Sequence, residues 1–183
     1  IFDRSIITKN ILQSMKNLCK IFLVIILLSN IVFASDVFSH PSDAKTVMKH
    51  IPNFSNINCP FTQTKILPNS TVVLKSGGDF SFRKDNGVVF YTKYPVKMTT
   101  TYDKNEQVNR IINNVINKNY VYLNKNFKFY FKNSSVWELG LVPINPQMKK
   151  YVKSLYISGK KNIHIIEIKA TDGTITKVSF KVD

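Results

Sequence analysis

Apolar and polar positions alternate with a period of two over most of the chain beyond residue 58, the spacing of side chains on a half-buried β-strand. Five short runs of this kind, at 61–66, 71–75, 79–84, 88–92 and 97–102, are separated by Leu67-Pro68-Asn69, Gly77-Gly78, Asp85-Asn86-Gly87 and Pro95. Asn-Gly takes positive φ readily, so the third break predicts a hairpin. Strands this close in sequence predict an antiparallel meander, because a parallel pair needs a long crossover. A second series follows. Phe127, Phe129 and Phe131 alternate with Lys128, Tyr130 and Lys132, and Trp137, Leu139 and Leu141 alternate with Glu138, Gly140 and Val142. Three closing strands are expected at 152–158, 163–170 and 174–182, punctuated by Gly159 and Asp172-Gly173.

In two places the spacing becomes helical. Ala44, Val47, Met48 and Ile51 form one apolar stripe, with Ser42 placed to cap the helix and Pro52 to end it. Over 106–117, Val108, Ile111, Ile112, Val115 and Ile116 share a face opposite Gln107, Asn109, Arg110, Asn113 and Asn114. Asparagine weakens a helix intrinsically, so this one is predicted to hold by its apolar face against a sheet. A single helical turn is expected over 146–151. The sum is a mainly β protein of ten or eleven strands. A single antiparallel sheet of that size must curl or split, which predicts an open half-barrel with short helices as its lid.

Residues 15–34 read differently. A basic stretch from Met15 to Lys20 precedes an apolar run that closes on Val32-Phe33-Ala34, the pattern of a secretory signal cleaved before Ser35. The run is short for a membrane span, which needs roughly 20 apolar residues. Residues 1–34 are therefore read as upstream sequence plus signal, and 35–183 as one domain. Cys19 would leave with the signal, and Cys59, then alone, is read as a buried strand thiol. The net charge is +15. Residues 1–34 carry Arg4, Lys9, Lys16 and Lys20 against Asp3, so +12 remains on the domain. Export argues against nucleic acid as the partner, and the lysines scatter along alternating strands as on a solvated outer face.

Catalytic patterns are scarce. His40, His50 and His164 have no partner at metal-ligand spacing, and no Gly-x-Ser-x-Gly, phosphate loop or Cys-His pair occurs. No enzyme, cofactor or metal is expected. What the sequence has instead is thirteen Phe, eight Tyr and one Trp, mostly on strands. A large apolar groove under loosely held helices is the setting for an apolar ligand. Taking an acyl chain out of water is worth roughly 0.8 kcal/mol per methylene, on the order of 12 kcal/mol for sixteen carbons, which a surface patch cannot supply.

Phe61-Thr62-Gln63-Thr64-Lys65, the segment from Ser76-Gly77-Gly78 to Phe82-Arg83, Val89-Phe90-Tyr91 followed by Tyr94-Pro95, Trp137-Glu138-Leu139-Gly140-Leu141-Val142-Pro143, and the closing strands from Ile157 to Phe180 together resemble the LolA family of periplasmic lipoprotein carriers. The resemblance implies no catalysis. It implies a monomeric periplasmic chaperone that takes acylated lipoproteins from an inner-membrane ABC-type complex to an outer-membrane receptor. The family arginine that latches the lid falls on Arg83, or on Lys84 in an equal alignment, and Tyr91 stands where the family usually has Trp. The expected cleft is lined by Phe61, Phe80, Phe82, Val89, Tyr91, Phe127, Phe129, Phe131, Trp137, Leu139, Leu141, Val178 and Phe180. Val47, Met48, Val108, Ile111, Ile112 and Val115 are expected to form the lid. A glycolipid or free-lipid carrier and a lipid-sensing envelope module stay open as alternatives.

Overall fold

The computed structural model describes residues 36–54, 56–83, 87–101 and 107–182, with the side chains of 100, 101 and 107–109 left out. The signal at 15–34, the Asp85-Asn86 turn, Lys84 and the Val108 side chain lie outside the described residues.

Ten antiparallel strands form one sheet that does not close, an open half-barrel. They are β1 (Pro41–Ser42), β2 (Ile57–Ile66), β3 (Val73–Arg83), β4 (Gly87–Tyr94), β5 (Met98–Thr101), β6 (Phe127–Asn133), β7 (Trp137–Pro143), β8 (Val152–Gly159), β9 (Ile163–Ala170) and β10 (Ile175–Phe180). The order across the sheet is β1-β6-β7-β8-β9-β10-β2-β3-β4-β5. Strands consecutive in sequence are thus antiparallel neighbours along β2–β5 and along β6–β10, while β10 pairs back on β2 and β1 on β6. Four helices accompany it: α1 (Ala44–His50), α2 (Gln107–Ile116), α3 (Tyr120–Asn126) and α4 (Pro146–Lys149). Residues 36–183 make one compact unit that carries the whole sheet and its core, as a domain able to fold alone must.

The ten strands are not quite the ten the alternation predicts. Runs 71–75 and 79–84 are one strand, β3, because Gly77-Gly78 bends the strand without breaking it. A register shift against β4 falls between these two glycines. At Gly78 a Cβ would stand 1.9 Å from the Tyr91 carbonyl oxygen, so the strands approach closely only because none is there. The lost strand is replaced by β1, too short to show a period. Helix α3 was also not expected. Its apolar contribution is mainly Leu123, and a single buried apolar position in seven residues leaves no repeat to read. The cap of α1 is Asp43, not Ser42: its carboxylate accepts the Thr46 N–H at 2.9 Å and the Thr46 hydroxyl at 2.6 Å. Ser42 pairs with Phe129 in the sheet instead.

Residues 37–50 wrap one margin of the sheet. The 3-10 turn Val37–Ser39 lies on the convex face, where Val37 is buried and Phe38 meets Tyr130 edge-on at 5.6 Å. Gly140 opens the space for it, since a Cβ there would come within 2.8 Å of the Phe38 ring. β1 then pairs with β6, and α1 crosses to the concave side, burying Ala44, Val47 and Met48. Cys59 is buried in β2. Burial pushes its thiol pKa up, so it stays protonated.

Candidate functional site

Cross-strand register fixes which side chains share the concave face. Ile57 pairs with Phe82, Cys59 with Phe80 and Phe61 with Gly78, and β4 brings Val88 opposite Phe82 and Phe90 opposite Phe80. On the other side of the sheet Phe129 pairs with Leu141, Phe131 with Leu139, Leu139 with Ile157 and Leu141 with Leu155. Val178 and Phe180 of β10 join the two halves through Ile166 and Phe61. Phe61, Phe80, Phe82, Phe127, Phe129, Trp137, Leu139, Leu141, Val178 and Phe180 thus belong to one buried apolar cluster, with Phe131 half-buried at its margin. Three aromatic contacts tie its centre: Phe61 with Phe90 at 4.9 Å, Phe80 with Phe90 at 5.0 Å, and Phe80 with Phe180 at 4.6 Å. The indole of Trp137 faces Phe54 and donates its N–H to the Lys160 carbonyl at 2.7 Å, so its one polar atom is satisfied.

Three sequence-predicted residues are elsewhere. Val89 and Tyr91 point to the convex face, Tyr91 46 % exposed, because their neighbours Val88 and Phe90 take the inward positions. The run Val88-Val89-Phe90-Tyr91 is apolar throughout, so alternation along β4 cannot choose a face, and the pairing with β3 does. Arg83 follows the inward Phe82 and is exposed at the convex end of β3, paired across to Gly87. Among the described residues it makes no ion pair with any helix.

The lid residues are where the helical period puts them. Val47 and Met48 of α1 and Ile111, Ile112 and Val115 of α2 are buried in the cluster, together with Ile116 of α2 and Leu123 of α3. Asparagines on α2 face outward and bond its own backbone: the Asn114 amide donates to the Arg110 carbonyl at 2.6 Å, and Asn117 to the Asn113 carbonyl at 2.9 Å. Neither reaches the sheet, so apolar contact is what holds α2 down. Arg110 lies 5.8 Å over the Tyr122 ring, within cation–π range. Helix α3 is fixed more firmly. Asn126, buried at its end, donates to the Tyr122 carbonyl at 2.7 Å and accepts from the Asn145 amide at 2.9 Å. The buried Tyr122 hydroxyl has no hydrogen-bond partner among the described residues, which is unusual for a polar atom out of water.

The concave space expected to be roomy is filled. Between α2 and the sheet, where Ile57, Phe80, Ile112, Ile116, Ile163, Ile166 and Phe180 converge, only about 10 Å³ remains. That is no more than one water could use. Open space lies further along the same face. Burial falls from Phe61 and Phe90 through the half-buried Gln63, Ser76 and Thr92 to the exposed Lys65, Leu74 and Met98. A cleft of about 220 Å³ opens there, lined by Phe61, Gln63, Ser76, Phe90, Thr92, Pro95, Val96 and Met98. This is the mouth of the half-barrel. Sequence reasoning missed Pro95 and Val96, since a turn gives no face to assign, and Met98, the first residue of β5.

No group of three or more His, Cys, Asp or Glu side chains gathers among the described residues. No described helix is long and apolar enough to cross a membrane. Comparison with protein-family models and with curated proteins gives no match.

Proposed function

We propose that the protein is a carrier of acyl chains, a periplasmic lipoprotein chaperone of the kind the resemblance to the LolA family implies, working without catalysis. One observation carries the reading. The concave face is apolar over much of the sheet, yet it is covered by short separate helices and not by a second sheet, and beyond the helices the same face opens into a cleft. In the closed form the lid side chains occupy the place of the cargo. Lifting α2 exposes Ile111, Ile112, Val115 and Ile116, at roughly 1.5–3 kcal/mol each, or roughly 6–12 kcal/mol together. Burying a sixteen-carbon chain returns on the order of 12 kcal/mol. The two are comparable, so cargo substitutes for lid, and release needs no large input.

The test is mass spectrometry of protein isolated from its native envelope, with displacement of a fluorescent fatty acid in vitro. Saturable uptake and a co-purified triacylated peptide are expected. Glycolipid or free lipid in its place supports the alternative cargo. Absence of both bound lipid and saturable uptake overturns the carrier.

A further inference from the structure

The end of the half-barrel that carries the mouth is apolar on its outside as well. The β2–β3 turn exposes Leu67 and Val72 (56 %), and at the rim of the cleft Val96 (70 %) in the β4–β5 turn and Met98 (58 %) at the start of β5 are exposed too. Register puts these turns at one end of the sheet: Ile66 pairs with Val73 and Ile175, Gly77 with Tyr94, and Thr92 with Met98. The β9–β10 turn joins them, with Gly173 against Pro68. Large apolar side chains left bare on adjacent turn tips mark a surface that meets something apolar.

Charge says what that is. Lys65, Lys75, Lys93, Lys97, Lys169 and Lys177 stand on the same strand ends and turns, against Asp79, Glu167 and Asp172. Two of the three carboxylates are already paired with lysines, Asp79 with Lys93 at 2.7 Å and Glu167 with Lys169 at 3.8 Å. Lys65 also acts on Asp172, lowering its pKa after the larger effect of the Thr174 hydrogen bonds. Lys75, Lys97 and Lys177 make no ion pair among the described residues. Apolar tips that protrude, ringed by a lysine excess, match the boundary between headgroups and acyl chains of an anionic bilayer. They match a protein groove less well, because a groove would leave those lysines without counter-charge.

We propose that this end docks on anionic lipid bilayers, with the tips in the acyl boundary and the lysines on the headgroups. The docking stands on the tips and charges alone. Its use rests on the carrier reading: the cleft at Phe61, Phe90, Val96 and Met98 would open against the membrane, so an acyl chain could enter or leave without crossing water.

The experiment uses residues 36–183, without the apolar segment upstream, in co-sedimentation with phosphatidylcholine vesicles and with vesicles that also contain phosphatidylglycerol. Binding to the anionic vesicles is expected, falling at least about tenfold when salt shortens the Debye length to about 3 Å. The variant Leu67→Asp/Val72→Asp lies outside the cleft and should lose at least about tenfold in vesicle binding while still taking up a soluble acyl probe. Lys75→Glu should lose less, and only at low salt. Binding to neither vesicle, or equal binding by the parent and the double-aspartate variant with both folded by circular dichroism, overturns the docking surface. A parent that docks on vesicles but takes up no acyl probe upholds the docking and overturns the carrier.

Discussion

Leu139 and Leu74 are the same residue on the same face of the same sheet, and they live in different surroundings. Leu139, on β7, is wholly buried within the core that the helices close, whereas Leu74, at the start of β3, is half exposed. Strand alternation put both on the concave side. Only the helices decided which became core. The covered half of the sheet is therefore where stability resides, and the uncovered end of β2–β5 is free to meet ligand.

Substitution separates the two most sharply. Leu139→Ala is expected to lower unfolding stability by about 2–5 kcal/mol, since it leaves a cavity among fixed neighbours. Leu74→Ala should stay within about 0.5 kcal/mol in the same urea titration. Equal losses would mean that the uncovered end is packed in solution and would erase the distinction. Next in size is Asn126→Ala, expected to cost about 1–3 kcal/mol because Asn145 loses its partner at a buried site. Its effect on the denaturation midpoint would show how firmly α3 anchors the covered half.

Tyr122→Phe should act in the opposite direction. It removes a buried hydroxyl that bonds to nothing among the described residues, so a gain of about 1 kcal/mol is expected in thermal unfolding. A loss would show that the hydroxyl finds a partner in solution.

The smallest effect is a pH dependence. Hydrogen bonds from the Thr46 side chain and then its backbone N–H hold the Asp43 carboxyl below the usual carboxylate range. A depressed folded pKa means that the cap adds stability above the ordinary carboxylate value and loses it as pH falls through the folded one. Asp43→Asn should flatten that part of the acid titration and leave stability near neutral pH almost unchanged.

The comparison also explains how much could be read from the sequence. Strands that alternate strictly, such as Phe127-Lys128-Phe129 and Trp137-Glu138-Leu139, declared their buried face, and those residues are in the core. The stripes of α1 and α2 were equally plain. At Val88-Val89-Phe90-Tyr91 every position is apolar, and a slip of one residue reverses the assignment. Nothing short of the pairing of Phe80 with Phe90 resolves it. Arg83 was read from the family resemblance and not from alternation, so no strand pattern could place it. The mouth was illegible for another reason: Pro95, Val96 and Met98 gather with Phe61 and Gln63 only when four successive strands are paired in register and the sheet curls, and a local pattern carries no trace of that. The filling of the hollow by helix side chains was hidden likewise, because volume is a property of the assembled chain.

The wrap of residues 37–50 around the sheet margin has a last consequence. β1 is two residues long, yet with the His40 carbonyl, which accepts the Phe131 N–H at 2.9 Å, it occupies the outward hydrogen-bonding row of β6. A bare row of that kind would template the addition of a foreign strand. A clasp of a few residues, pinned by Val37 and Phe38 outside and by α1 within, thus makes β6 exchange its amide protons like an interior strand. It also denies that side of the molecule to fibril growth for as long as the clasp stays shut.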